Sequence, residues 1–367
     1  MIFSKCIMIL MAVFFVLGAL DRLLGSKFGL GAEFERAFGL MGPTALSVVG
    51  LLVLAPVLAD FLQKIIAPVF ELIGADTGMF PGMLMSSEIS YPLAAEMASS
   101  QQMAAFSGII VGSVMGAVLS FSIPVACGLI RKQDYRFFAT GILAGYIFNP
   151  VASFIGGLSM GLSPAVVLIN LIPVIVVALI LITGLALKPE LMIRIFRAFS
   201  KLLMAIITVG LAAAAVEAMT GLVVIQGMNP ISDGFRTVGT IILSIGGSMP
   251  LLYVLGKLLT RPLKRFAELL GINEICSLNI LVGLTSIVPG YSSYEKMNGK
   301  GKIIFSALTA SAIPMLGCHL GFTASVDTGM IMPMLLSRAC AGIFAVISAS
   351  FFAGRIFSRG ELETTSY

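Results

Sequence analysis

Three side chains buried in otherwise apolar stretches of this chain could hold a charge or move a proton: Glu88, His319 and Arg338. An ionisable group in apolar surroundings is costly and by default marks a solute or ion path. Glu88 stands among Ser86, Ser87 and Ser90, so it is the leading candidate for an anionic anchor with neutral acceptors beside it. The alternative is a carboxylate paired with Arg338 or capping a half-helix; both roles can hold, because an arriving cation could replace an internal partner. His319, the one histidine, titrates near neutrality and could carry a proton or contact a hydroxyl, or simply be a hydrogen-bonded packing residue. Arg338 is expected to need a carboxylate partner and to be structural.

A second set is neutral. Thr285, Ser286, Ser292 and Ser293, with Tyr291, could supply hydroxyl contacts, and Tyr91 and Tyr291 could offer ring faces to an ammonium or anchor at the interface. Ser120 and Ser122 precede Pro124, which frees a carbonyl one turn back, although serines at such places usually bond their own helix. Asp21, Asp60, Glu217 and Asp327 fall near the ends of apolar runs, where solvated or capping roles are expected.

The elements that must position these residues are membrane helices. Of 367 residues, 58% are hydrophobic and 11% charged, against roughly 25% charged in a soluble domain. Spans are expected at about 6–21, 41–61, 104–130, 137–158, 165–187, 198–221, 237–257, 303–325 and 329–353, nine in all. Two further stretches, 77–96 with Pro81, Glu88 and Pro92, and 275–294 with Asn279, Pro289 and Gly290, read as re-entrant hairpins or, if both cross, as extra spans making eleven. Loop charge favours hairpins: if neither stretch crosses, one side of the membrane receives only Lys5, Lys64 and Arg236 of the loop basic residues. That places the amino terminus outside and the carboxyl terminus inside.

The chain also repeats. Pro56-x-Leu58, Pro68 and Glu71-Leu-Ile-Gly74 return as Pro250-x-Leu252, Pro262 and Glu268-Leu-Leu-Gly271, and Pro92 and Met97 return as Pro289 and Met297. Units of 1–158 and 198–353, joined by a connector at 159–197 and followed by a polar cytoplasmic tail at 354–367, are therefore expected. With nine spans the copies point in opposite directions, and inverted repeats with interrupted segments at matching positions are a transporter signature. The five cysteines have no metal-ligand spacing and read as structural thiols. Asn298-Gly-Lys-Gly-Lys302 is too short for a phosphate loop and no catalytic cluster is visible, which disfavours an enzyme; a sensor is disfavoured because no soluble domain is expected, and a nucleic-acid role because the basic residues read as loop charges.

Ala19-Leu-Asp-Arg22, Leu54-Ala-Pro-Val-Leu-Ala-Asp60, Glu71-Leu-Ile-Gly-Ala75, Phe121-Ser-Ile-Pro-Val-Ala126, Gly141-Ile-Leu-Ala-Gly145 and Cys318-His-Leu-Gly-Phe322 resemble the ethanolamine-utilisation permease family, the EutH type, along nearly the whole chain. The resemblance implies a multi-pass protein of the bacterial cytoplasmic membrane that imports ethanolamine. Its partners would be that small molecule and the lipid bilayer, without a cofactor. Coupling to H⁺ or Na⁺ and assembly as a homo-oligomer are left open. Ethanolamine near neutral pH is a protonated amine with one hydroxyl, which suits a carboxylate beside neutral acceptors. The chain departs from the family pattern at Ser86-Ser-Glu-Ile-Ser90, at Leu284-Thr-Ser-Ile-Val-Pro289 and at Cys318, so another small amine or alcohol is the alternative.

Overall fold

The computed structural model describes residues 2–358; the expected polar tail lies, from 359 onward, outside the described residues. The described chain is an all-α polytopic membrane protein. Seven helices are long and apolar enough to cross a bilayer, or up to nine if two bent helix pairs each count as one span.

Helix α1 (Ile2–Leu23) ends in a turn that Asp21 caps: this buried carboxylate accepts from the backbone amides of Phe28, at 3.0 Å, and Gly31, at 2.8 Å. Helix α2 (Leu30–Gly39) follows, and α3 (Met41–Ile73) carries Pro56 and Pro68 and stops at Gly74, whose φ of 67° only glycine adopts freely. The two arms of the first hairpin are α4 (Met79–Leu84) and α5 (Ser87–Met97). From α6 (Gln101–Ala105) the helix widens to π-helical geometry over Phe106–Gly116 and Val118–Ser122, then tightens again as α7 (Ile123–Leu129). Helices α8 (Tyr135–Tyr146), α9 (Asn149–Ser159), α10 (Pro164–Leu187) and α11 (Pro189–Thr220) lead to α12 (Ile231–Leu270). The second hairpin is α13 (Glu274–Gly283) and α14 (Val288–Ser292), and α15 (Gly299–Thr309), α16 (Cys318–Val326) and α17 (Ile331–Ser358) complete the chain.

Both hairpins bring their two ends together. Thr77 Oγ1 donates to the Met97 carbonyl at 2.7 Å, and the Asp76 carboxylate accepts from the Ser99 amide at 3.0 Å, so the ends of the first hairpin meet. In the second, Asn273 Nδ2 donates to the Lys296 carbonyl at 2.8 Å and Asn298 Nδ2 to that of Gly271 at 3.0 Å. The longest arm, α5, has 11 residues, a rise of about 16 Å, half of the roughly 30 Å hydrocarbon core.

The repeat visible in sequence has structural counterparts. Helices α3 and α12 each hold two prolines and each end in a left-handed glycine, Gly74 and Gly271. Each then enters a hairpin, and each hairpin is followed by a helix with a side-chain N-cap, Ser100 on α6 and Asn298 on α15. Helix α1 packs on α12, and α11 on α3. At the second crossing the backbones touch, because a Cβ at Gly50 would overlap the Ile207 carbonyl and one at Gly210 would overlap that of Gly50.

One expected span needs correction. The stretch 303–325 is not one helix; it breaks between α15 and α16, over residues 310–317. Pro314 has no amide proton to give, and the carbonyls of Ala310 and Ala312 bond side chains from elsewhere instead of the next turn.

Candidate functional site

The first hairpin places its tip against a strip that only glycine can provide. Met85 and Ser86 are extended, so the chain turns there and α5 begins at Ser87. The tip lies on the π-helical stretch, where Gly108, Gly112 and Gly116 recur every fourth residue. A Cβ on Gly108 would overlap Tyr91, one on Gly112 the Ser90 hydroxyl, and one on Gly116 the Met85 backbone. Ser120 fixes the tip further: its hydroxyl accepts from the Ser86 amide at 2.9 Å and donates to the Gly116 carbonyl at 3.0 Å.

This docking carries Ser87 and Glu88 to His319, near the start of α16. His319 Nδ1 lies 2.7 Å from Ser87 Oγ and 3.0 Å from Glu88 Oε1, and all three residues are buried. The Ser87 contact has hydrogen-bond geometry. Glu88 Oε1 is withdrawn from solvent and makes no hydrogen bond of good geometry, although His319 Nδ1 lies beside it. Such an atom is costly unless something satisfies it. Arg338 is buried as well and interacts electrostatically with Glu88 and His319.

The expected site residues are brought together only in part. Ser87, Glu88 and His319 meet, whereas the Ser86 amide bonds Ser120 and the Ser90 hydroxyl donates to the Gly108 carbonyl at 3.0 Å. Ser122 points elsewhere and donates to the Thr309 carbonyl at 3.1 Å. Thr285 and Ser286 sit in the turn between the arms of the second hairpin, where Thr285 donates to its own Val282 carbonyl at 2.9 Å. Tyr291 neither anchors at an interface nor opens a ring face: it is buried, packed edge-on against Phe138 and Phe305, with its hydroxyl 2.5 Å from Thr309 Oγ1.

Arg338 also corrects the expectation. No carboxylate among the described residues forms an ion pair with it; its Nε donates to the Ala312 carbonyl at 3.0 Å and its Nη1 to that of Ser113. The broken helices supply the acceptors that a carboxylate was expected to give. Asn149, not singled out in sequence, works beside it, with Nδ2 donating to the carbonyls of Val114 at 2.9 Å and Ala310 at 2.6 Å. The Asn149-Pro150 pair inside an apolar run was the available signal.

Two cavities lie among the described residues, neither lined by Glu88 or His319. One, of about 670 Å³, is lined by Tyr91, Gln101, Gln102, Ser159, Val326 and Asp327 among others. The other, of about 520 Å³, is lined by Glu33, Arg36, Tyr253, Lys257, Thr285 and Ser286 among others. Helix α16 lies between them: Val326 at its end borders the first, while Gly317 before its start packs on the Thr285 backbone, which borders the second. Glu88 lines neither, one helical turn from Tyr91 along α5.

Long apolar helices, two of them interrupted, and two short helical hairpins define a polytopic membrane protein. Residues 3–352 match the family described as "Ethanolamine utilisation protein, EutH", and the chain belongs to that family. It is 40% identical over 98% of its length to the "Probable ethanolamine permease EutH" of Listeria monocytogenes serotype 1/2a (strain 10403S), covering 96% of that protein. It is 35% identical to the "Probable ethanolamine permease EutH" of Salmonella typhimurium, with 94% of each chain covered. A Bacillus subtilis relative, "Uncharacterized protein YxeR", is 35% identical over 95% of this chain and 94% of its own. No solved structure matches the chain.

Proposed function

We propose that this protein carries ethanolamine across the bacterial cytoplasmic membrane by alternating access. The observation that supports it best is the buried Glu88 Oε1 without a hydrogen bond, beside His319 and Ser87, in a chain whose relatives are named as probable ethanolamine permeases. A protonated amine would supply the missing donor and the charge, and the substrate hydroxyl would meet Ser87 or His319. Both hairpins act as gates in this reading. The two halves form an inverted repeat, with the 670 Å³ cavity facing outward and the 520 Å³ cavity inward. Because the tip seals Glu88 from both cavities, the first hairpin must shift along the glycine strip to admit the substrate.

Uptake of labelled ethanolamine into proteoliposomes at mildly acid pH, where the freely diffusing neutral amine is scarce, tests the proposal. Saturable uptake above that of empty vesicles supports it. Its absence from folded protein sinks the substrate assignment. Competition by other small amines and alcohols tests the second reading, which the departures at Ser86–Ser90 and Cys318 favour. A competitor taken up with higher kcat/KM than ethanolamine would replace it.

The outward cavity makes a further expectation measurable. Asp327 lines it with Tyr91 and acts electrostatically on the tyrosine hydroxyl, so carboxylate and ring together attract a cation one helical turn from Glu88. Asp327→Asn is expected to raise KM by roughly fivefold at low ionic strength, with kcat unchanged and the difference lost at high salt. A KM that is unaltered at low salt removes Asp327 from the entry path.

A further inference from the structure

The freed carbonyls at the centre of the fold are held by donors that belong to the chain itself. Two interrupted helices meet there, the π-helical stretch Phe106–Gly116 from the first half and the break after α15 from the second. The break exposes the carbonyl oxygens of Thr309, Ala310 and Ala312, and the wide turn leaves those of Ser113 and Val114 available. Asn149 takes Val114 and Ala310, Ser122 takes Thr309, and the guanidinium of Arg338 takes Ser113 and Ala312. Arg338 is 1% exposed, so the arrangement is shut off from bulk solvent.

Unwound backbone carbonyls between two such helices are the usual means by which a carrier of discontinuous helices grips an alkali cation. Here a positive charge already occupies that place. The guanidinium is covalently part of α17 and cannot dissociate from it. It also balances Glu88, which lies near enough to interact with it. A sodium ion could reach the carbonyls of Ser113 and Ala312 only by displacing the arginine or by sitting against its charge.

We infer that the carbonyl cluster between the π-helical stretch and the α15–α16 break is a cation site permanently filled by Arg338, so that transport proceeds without sodium. The inference rests on the carrier reading above. A purely structural staple would make the same hydrogen bonds, but would give no reason for a variant to respond to an added cation.

The test uses purified full-length protein in proteoliposomes, with ethanolamine exchange across the membrane as the basal activity and Na⁺ compared with K⁺ at clamped potential. Exchange that is absent under every condition refutes the carrier reading itself and is thereby distinguished from failure of this inference. For the native chain, rates in Na⁺ and K⁺ are expected to agree within about twofold, and an inward Na⁺ gradient is expected to drive no accumulation. Tenfold stimulation by Na⁺, or accumulation driven by its gradient, overturns the inference. Arg338→Ala is expected to lose at least about tenfold in exchange in K⁺ and to regain at least about threefold with millimolar guanidinium or with Na⁺. Folded variant that responds to neither cation overturns the cation-site assignment. Should the variant not fold, thermal unfolding of the native chain in detergent decides: equal midpoints in Na⁺ and K⁺ are expected, and a Na⁺-specific rise of about 3 °C or more overturns the inference.

Discussion

Glu88→Gln is expected to abolish saturable ethanolamine uptake while leaving protein that inserts and purifies normally. The substitution keeps the volume and both hydrogen-bonding positions of the side chain but removes its charge. In the native chain Glu88 Oε1 lies 3.0 Å from His319 Nδ1 and lacks a hydrogen bond. The amide can still sit beside Ser87, whose hydroxyl is 2.7 Å from the imidazole. An ammonium drawn from water into this enclosed site would then face a neutral dipole and the nearby Arg338 charge. Charge-assisted hydrogen bonds are roughly twice as strong as neutral ones, and a few kcal/mol of lost binding corresponds to at least about a hundredfold in affinity. Uptake titrated to the highest practical ethanolamine concentration, alongside size-exclusion profiles, checks this. A Gln variant that transports at the native rate removes Glu88 as the anchor. A variant that unfolds shows instead that the charge cluster with His319 and Arg338 holds the protein together.

Much of this arrangement was readable because glycine, proline and buried charge have few alternative uses. Pro56, Pro68 and Gly74, with their echoes Pro250, Pro262 and Gly271, set backbone conformations and so marked the repeat. Glu88 and His319 stood out because an ionisable side chain is rare in apolar surroundings, and their meeting follows from the hairpin carrying one to the helix carrying the other. The partner of Arg338 was not readable: its acceptors are main-chain carbonyls, and every residue has one. For the same reason the break at residues 310–317 was missed, since Pro314 and Gly317 are visible but the hydropathy of the stretch stays that of a span. The π-helical turn has no composition of its own. Thr285 and Ser286 were expected to supply hydroxyl contacts, yet Thr285 bonds a carbonyl of its own hairpin and the two line a different cavity from Tyr91.

The glycine strip yields the second large effect. Gly116→Val is expected to cost at least about tenfold in transport and to lower the thermal midpoint of the purified protein. The new Cβ would overlap three backbone atoms of Met85, the residue at which the first hairpin turns. Backbone cannot rotate out of the way as a long side chain can, so the hairpin tip must move. Overpacking of this kind typically costs 1–3 kcal/mol, and about 1.4 kcal/mol is a factor of ten. Displacement also breaks the link from the Ser86 amide to Ser120, and it carries Ser87 and Glu88 away from His319, so geometry and stability are lost together. Gly128→Ala is the control, because a Cβ there meets open space and the residue lies beyond the strip on α7; it is expected to behave as the native chain. Uptake rates and detergent melting curves for both variants separate the cases. A Gly116→Val protein with native transport would show that the tip need not lie on the strip, and the assignment of the first hairpin as a gate that slides along it would fall.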